Sequence, residues 1–278
     1  MTDSATALPD SISAQAGLAI TRMEVTIGDH TYIDGPDGDL RDFYELLRHA
    51  RRMPKTSAPR PQAWLETFRD ASRAAESIFC ITISAQLSAA YDSALVAADL
   101  ASDELPGVEI QVFDSRAAAG SQALIALEAA RAAATGADLK SIGQVATTVA
   151  NRVRLVAYLD TLEYIWRGGR VPKIAVWATN LLNIKPLMEF SAGKVGVIAR
   201  PRSRRRAFGR LLAEARRDLA GRRAHVNVMH ADAEWEADEL RRQMEDEFNC
   251  VEIFVTQFHP FMGAHTGPGL LAAAYWAE

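Results

Sequence analysis

Along this chain, short apolar runs alternate with longer stretches whose apolar positions recur at helical spacing. Residues 23–27 and 108–113 predict strands, and 78–83 predicts a fully buried one because its apolar run is nearly unbroken. Phe43, Leu46 and Leu47 share one face of a helix expected over 40–52. Further helices are expected at 62–75, 88–100 and 117–134. Pro54, Pro59 and Pro61 bracket a loop, Lys55-Thr56-Ser57-Ala58. Strand, polar turn and helix in succession mark βαβ units, so an N-terminal, mostly parallel Rossmann-like sheet with helices on both faces is expected.

A second region begins near Arg152. Its pattern gives a strand at 153–158, a Gly168-Gly169 break and an apolar stretch to Ile184. A hairpin of 186–190 and 195–199 follows, joined through Ser191-Ala192-Gly193-Lys194. Helices at 203–219 and 232–247 alternate with strands at 225–229 and 251–256. The division expected is an N-terminal α/β domain over 1–152 and a smaller C-terminal α/β domain over 153–278. Parallel α/β sheets bind ligands beyond the C-terminal ends of their strands, which draws attention to the Ser and Thr residues there.

Composition narrows the function classes. A length of 278 residues suits two modest domains or one large one, and 49% hydrophobic residues suffice for a real core. A formal charge of −4 argues against a general nucleic-acid binder. The two cysteines, Cys80 and Cys250, show no metal-ligand spacing, and nothing suggests a disulfide framework. No basic-then-apolar leader opens the sequence, and no apolar stretch approaches the roughly 18 residues of a membrane span. A cytoplasmic location is the expectation.

Several segments could carry chemistry, each with a plainer reading beside it. Thr56-Ser57 could bind a ligand or make a turn. Ser84 and Ser88 could cap the next helix or help form an anion site at its start. Asp3-Ser4 and Asp114-Ser115 fit Asx-turns as well as ligand contacts. Gly168-Gly169-Arg170 could let backbone approach a ligand, with Arg170 as anion partner, or could stop a helix. His265-Thr266-Gly267-Pro268-Gly269 reads as a stiff turn presenting polar groups near a helix start. The run Arg200 to Arg206 could meet nucleic acid, phosphate, anionic lipid or an acidic partner, or be a solvated helix face. The sequence holds no Walker loop, no G-x-G-x-x-G, no G-x-S-x-G and no His–carboxylate set at metal spacing. Hydroxyls, one His and one or two Arg can hold an anion but make a poor set of acid, base and nucleophile.

Taken in order, these segments resemble the DegV family of fatty-acid-binding proteins along essentially the whole chain. The resemblance rests on Thr2-Asp3-Ser4-Ala5, Tyr32-Ile33-Asp34-Gly35, Pro54-Lys55-Thr56-Ser57-Ala58-Pro59 and Ile83-Ser84-Ala85-Gln86-Leu87-Ser88. It continues through Val112-Phe113-Asp114-Ser115, Leu162-Glu163-Tyr164 with Gly168-Gly169-Arg170, Asn183-Ile184-Lys185-Pro186 and His265-Thr266-Gly267-Pro268-Gly269.

The resemblance implies two α/β domains with an acyl chain between them and no cofactor or metal. It implies head-group contacts from Thr56, Ser84 and His265, with Thr266 and Arg170 as close neighbours. It also implies a non-catalytic carrier that, in many bacteria, presents a long-chain fatty acid to a separate fatty acid kinase subunit. Arg202 would then meet phosphate or kinase, and transient membrane-surface contact would accompany the role. Two departures bear on the head group: Ala85 stands where the family usually has a second serine, and Ala89-Ala90 where it has Gly-Thr. The family also has a strand just before Asp3-Ser4, which is expected here to be absent or to need residues upstream. The rival reading is an enzyme acting on a small phosphorylated or acidic metabolite, with His265 as general acid or base. A third is an interaction module using Arg200 to Arg206.

Overall fold

The computed structural model describes residues 1–35, 40–50, 53–170 and 184–278. The end of the first predicted helix, the apolar stretch before Ile184 and Asn183 of its motif lie outside these residues.

The strands and helices fall in chain order as β1 (Thr2–Asp3), α1 (Asp10–Gln15), β2 (Ile20–Thr21), β3 (Glu24–Ile27), β4 (His30–Ile33), α2 (Leu40–His49), β5 (Lys55–Ser57) and α3 (Pro61–Ser72). Next come β6 (Ser77–Thr82), α4 (Ala90–Glu104), β7 (Glu109–Asp114), α5 (Ala119–Ala134), α6 (Leu139–Arg152), β8 (Arg154–Tyr158) and α7 (Glu163–Gly168). The order ends with β9 (Leu187–Ser191), β10 (Lys194–Ala199), α8 (Arg204–Leu219), β11 (Arg223–His230), α9 (Glu234–Glu247), β12 (Asn249–Gln257), α10 (Pro260–Thr266) and β13 (Leu271–Ala277).

Three sheets result among the described residues. A parallel one runs β2-β1-β6-β7, a small antiparallel one runs β4-β3-β5, and a mixed one runs β10-β9-β8-β13-β11-β12. The chain is therefore mixed α/β with a parallel sheet and separate further sheets. A two-residue strand, Thr2–Asp3, occupies the place just before the Asp3-Ser4 turn. The expected loop at Lys55–Ser57 is instead an edge strand, pairing Thr56 with Val25.

Alternation along β13 explains why the six-stranded sheet is covered on both faces. Leu271, Ala273 and Tyr275 join Leu211 and Leu240 of α8 and α9 in one core, while Ala272, Ala274 and Trp276 join the other. Helix α5 is buried from Ala119 to Leu127, as expected of a helix whose first turns are enclosed by protein. It contacts β6 on one side and β11 and β13 on the other. Gly120 makes this approach possible, because a β-carbon there would collide with Asn227 and Met229. No described helix is long and apolar enough to cross a membrane.

Candidate ligand site

Between the six-stranded sheet and the N-terminal half lies a hollow of about 900 Å³, measured out through its open mouth. Leu155 and Ala157 of β8, Met188 and Phe190 of β9 and Ala272 of β13 form its floor. They share a sheet face because side chains alternate along each strand. Alanines at 118, 119, 157 and 272 leave the space that larger residues would fill. Ile83, Leu87, Phe258, Phe261 and Met262 close the other side, so the walls are almost wholly apolar.

Polar groups gather at one end. Thr56 Oγ1 stands 2.9 Å from His265 Nε2, and Arg170 Nη2 donates to the same oxygen at 3.3 Å. A second, polar hollow lined by Thr56, Gln86, Ser88 and Gly169 shares Leu87, Arg170 and Phe261 with the first. With Arg170 donating to it, the Thr56 hydroxyl can give its own proton to His265 Nε2 or, in the other imidazole tautomer, to an arriving acceptor. Burial first, and then the Arg170 charge, push the His265 pKa down to about 4. The imidazole is neutral at pH 7, and Arg170 supplies the positive charge.

Local sequence explains these positions. Pro260 opens α10 where a missing N–H costs nothing. Phe261 and His265 then fall one turn apart, their rings edge to face at 5.5 Å. His265 therefore sits at the C-terminal end of this helix, not at a helix start as the Gly-Pro-Gly run suggested. Gly267 ends the helix with φ 73° beneath the Tyr164 ring, where a β-carbon would collide with it. Gly169, at φ 70°, caps α7, so the double glycine is a helix stop that delivers Arg170 to the mouth. Arg170 Nη1 is held by Gly168 O at 2.7 Å.

The remaining candidates are placed differently. Thr266 lines the hollow, but its hydroxyl donates to Met262 O at 3.0 Å. Ser84 is fully buried at the end of the parallel sheet, where its Oγ accepts from Gln86 N at 3.3 Å, and it lies on neither wall. Ser88 Oγ accepts from Ala90 N at 3.2 Å in the first turn of α4. Asp114 and Asp3 make Asx-turns to Arg116 N and Ala5 N. Within the basic run, Arg204 is consumed by Glu236, Asp160 and the Gly269 carbonyl. Arg202 is exposed, without an ion pair among the described residues, and lies on neither hollow. Leu87, Phe261 and Met262 were missed by pattern reading, since nothing in their immediate sequence distinguishes a cavity wall from a core.

One His–carboxylate group among the described residues, Glu128, His225 and Glu252, brings possible metal-ligand atoms within 4.8 Å. Arg131 pairs with both carboxylates, so a cation already sits in this group.

The family model described as "Uncharacterised protein, DegV family" matches residues 1–278. The chain belongs to the DegV family. A DegV domain-containing protein of Streptomyces coelicolor is 30% identical over 273 residues, spanning 98% of this chain and 95% of the relative. Among solved structures, a DegV family protein from Thermus thermophilus, described by its fatty acid binding, superposes with a TM-score of 0.90 at 24% identity. It covers 100% of this chain and 98% of that one. DegV from Bacillus subtilis, described as a fatty acid binding protein, gives 0.89 at 23% identity, with 100% and 98% covered. At these identities the likeness of the two structures establishes the fold.

Proposed function

We propose that this chain binds a long-chain fatty acid, with the acyl chain in the apolar hollow and the carboxylate at Thr56, His265 and Arg170. The observation carrying the proposal is the pairing of a nearly unbroken apolar cavity with a neutral hydroxyl–imidazole pair and one guanidinium at its end. The fatty acid binding described for the Thermus and Bacillus DegV proteins supports the same reading.

About 14 buried methylenes contribute roughly 0.8 kcal/mol each, on the order of 11 kcal/mol gross. A hydrogen bond to a carboxylate nets only about 1.5–3 kcal/mol. Burial therefore dominates affinity, and the polar end selects acid over alcohol. With Ser84 turned to backbone and Ala85 beside it, Thr56, His265 and Arg170 carry that selection.

The reading extends to a carrier without chemistry of its own, which presents its ligand to a fatty acid kinase subunit for acyl-phosphate formation. The polar hollow beside Thr56 gives a partner access to the carboxylate, exposed Arg202 offers a cation to phosphate or kinase, and brief membrane contact would load the ligand. A general acid or base works best with a pKa near 7, so His265 at about 4 is poorly matched to metabolite chemistry.

The test is extraction of lipid from detergent-free protein, followed by titration of delipidated protein with hexadecanoate and hexadecanol. A one-to-one complex favouring the acid is expected; failure to bind either ligand overturns the proposal. Loaded protein supplied to a fatty acid kinase with ATP should yield acyl phosphate, and Arg202→Glu should reduce the yield.

A further inference from the structure

Asp34 follows β4 directly and is fully buried. Its own N–H donates to Met23 O at 2.8 Å, which fixes it to the small sheet. That sheet also carries Thr56, because β3 pairs with β4 on one side and β5 on the other. Across 227 residues of sequence, Asp34 Oδ1 accepts the Phe261 N–H at 2.8 Å. This N–H belongs to the first turn of α10, whose amides have no partner within the helix. His259, the residue that should cap α10, makes no side-chain cap. Helix α10 is thus tied to the small sheet twice, by Asp34 at Phe261 and by Thr56 at His265, one turn further on.

A second buried carboxylate treats the facing wall alike. Asp3 Oδ2 accepts Ile83 N at 2.8 Å, and Oδ1 accepts Gln122 Nε2 at 3.0 Å. Between the two acids, Ser4 Oγ accepts Met23 N at 3.0 Å. The Asp3-Ser4 turn therefore sets a wall, where direct ligand contact was one of its two readings.

The cap on α10 uses one oxygen of the Asp34 carboxylate. Its Oδ2 has no partner in hydrogen-bond geometry, although the Ser4 hydroxyl stands close enough to favour the charged form. Arg22 donates to the Asp34 carbonyl, not to its carboxylate, at 3.2 Å, and faces Asp10 at 3.7 Å. The other titratable neighbours are Asp3 and Tyr44, with the Arg48–Asp232 pair beyond Tyr44.

We propose that Asp34 is a positioning residue for head-group recognition, holding α10 through Phe261 so that His265 meets Thr56. It acts without touching the ligand, and the proposal rests on the reading of the hollow as an acyl site.

The test uses the full chain with Asp34→Asn, which keeps an acceptor for Phe261, and with Asp34→Ala and near-isosteric Asp34→Leu, which do not. Each is measured for folding by circular dichroism, for affinity toward hexadecanoate and hexadecanol, and for the imidazole resonances of ligand-free His265. The Asn variant should keep the acid-over-alcohol preference within about twofold. Whichever acceptor-free variant folds should lose about tenfold of it, the effect of one hydrogen bond to a charged group. That variant should also shift the His265 resonances before any ligand is added. A folded acceptor-free variant with wild-type preference and unmoved His265 resonances overturns the proposal, as does an Asn variant that loses as much as Ala. If wild type binds neither ligand while the His265 resonances still move, the acyl reading fails and the positioning role stands.

Discussion

Gly168 and His265 are packed so closely that a β-carbon at position 168 would stand 3.0 Å from His265 Nδ1. The imidazole is held by this contact on one edge and by Thr56 on the other. Gly168→Ala should push the ring off Thr56 without disturbing the core. Hexadecanoate affinity should fall by about 1 kcal/mol, roughly fivefold, with an unchanged melting temperature; calorimetric titration beside a thermal melt checks both.

Thr56→Ala and His265→Ala should each leave a folded protein that binds the acid about tenfold more weakly, one lost charge-assisted hydrogen bond. Hexadecanol binding should change far less. Equal losses for acid and alcohol would place the head group elsewhere.

Arg170 adds to burial in depressing the His265 pKa. Arg170→Gln should raise that pKa from about 4, though not beyond the ordinary 6.5, because burial remains. An imidazole pH titration by NMR reads the change directly.

Burial raises the pKa of both Asp3 and Asp34 to about 6. Since the folded state binds these protons more tightly than the unfolded chain, their contribution favours folding at low pH. It is lost as pH rises from about 4 through 6, on the order of 3 kcal/mol for each acid. Asp34→Asn should therefore gain stability relative to wild type between pH 4.5 and pH 7, as urea unfolding at both values would show.

His225 behaves in another way. Burial alone would lower its pKa, but hydrogen bonds to Glu252 and Glu278 outweigh burial and raise it. It stacks on Trp276 and faces Glu128 of α5 at 3.5 Å. The stabilisation is fully present below the unfolded value near 6.5 and fades as pH rises through the elevated one. Glu252→Gln should lower the His225 pKa and shift this loss to lower pH, seen by NMR and by melting curves.

Much of this was legible from pattern. The parallel strands β6 and β7, the hairpin through Ala192-Gly193 and helices α8 and α9 follow from periodicity, which local packing respects, whereas β1 and β2 are too short to show a pattern and the strand read at 23–27 pairs antiparallel. Strand β13 did not show itself, because Leu-Ala-Ala-Ala-Tyr-Trp-Ala suits a helix as well as a strand; its central place comes from pairing with β8 and β11. Helix α6 was overlooked among threonines, although Asp138 capping Ser141 N and the spacing of Leu139, Ile142, Ala146 and Val149 mark it. At the site, Thr56, Arg170 and His265 stood out as candidates from local chemistry, took their roles from the family's motifs, and do converge. Asp34 was quoted within such a motif without a role, since its partner lies 227 residues away and no local pattern encodes it.

Helix α5 has a consequence for traffic into the cavity. Its first residue, Ala119, with Ala118 before it, belongs to the cavity wall, and its body is wedged against strands of two different sheets. Swinging the halves apart like covers would tear this spine from one of its neighbours and wet its buried apolar residues, Leu124 and Ile125 among them. Exchange of a guest is therefore expected to use small yielding motions of the rim around Arg170 and α10, with α5 as the fixed frame.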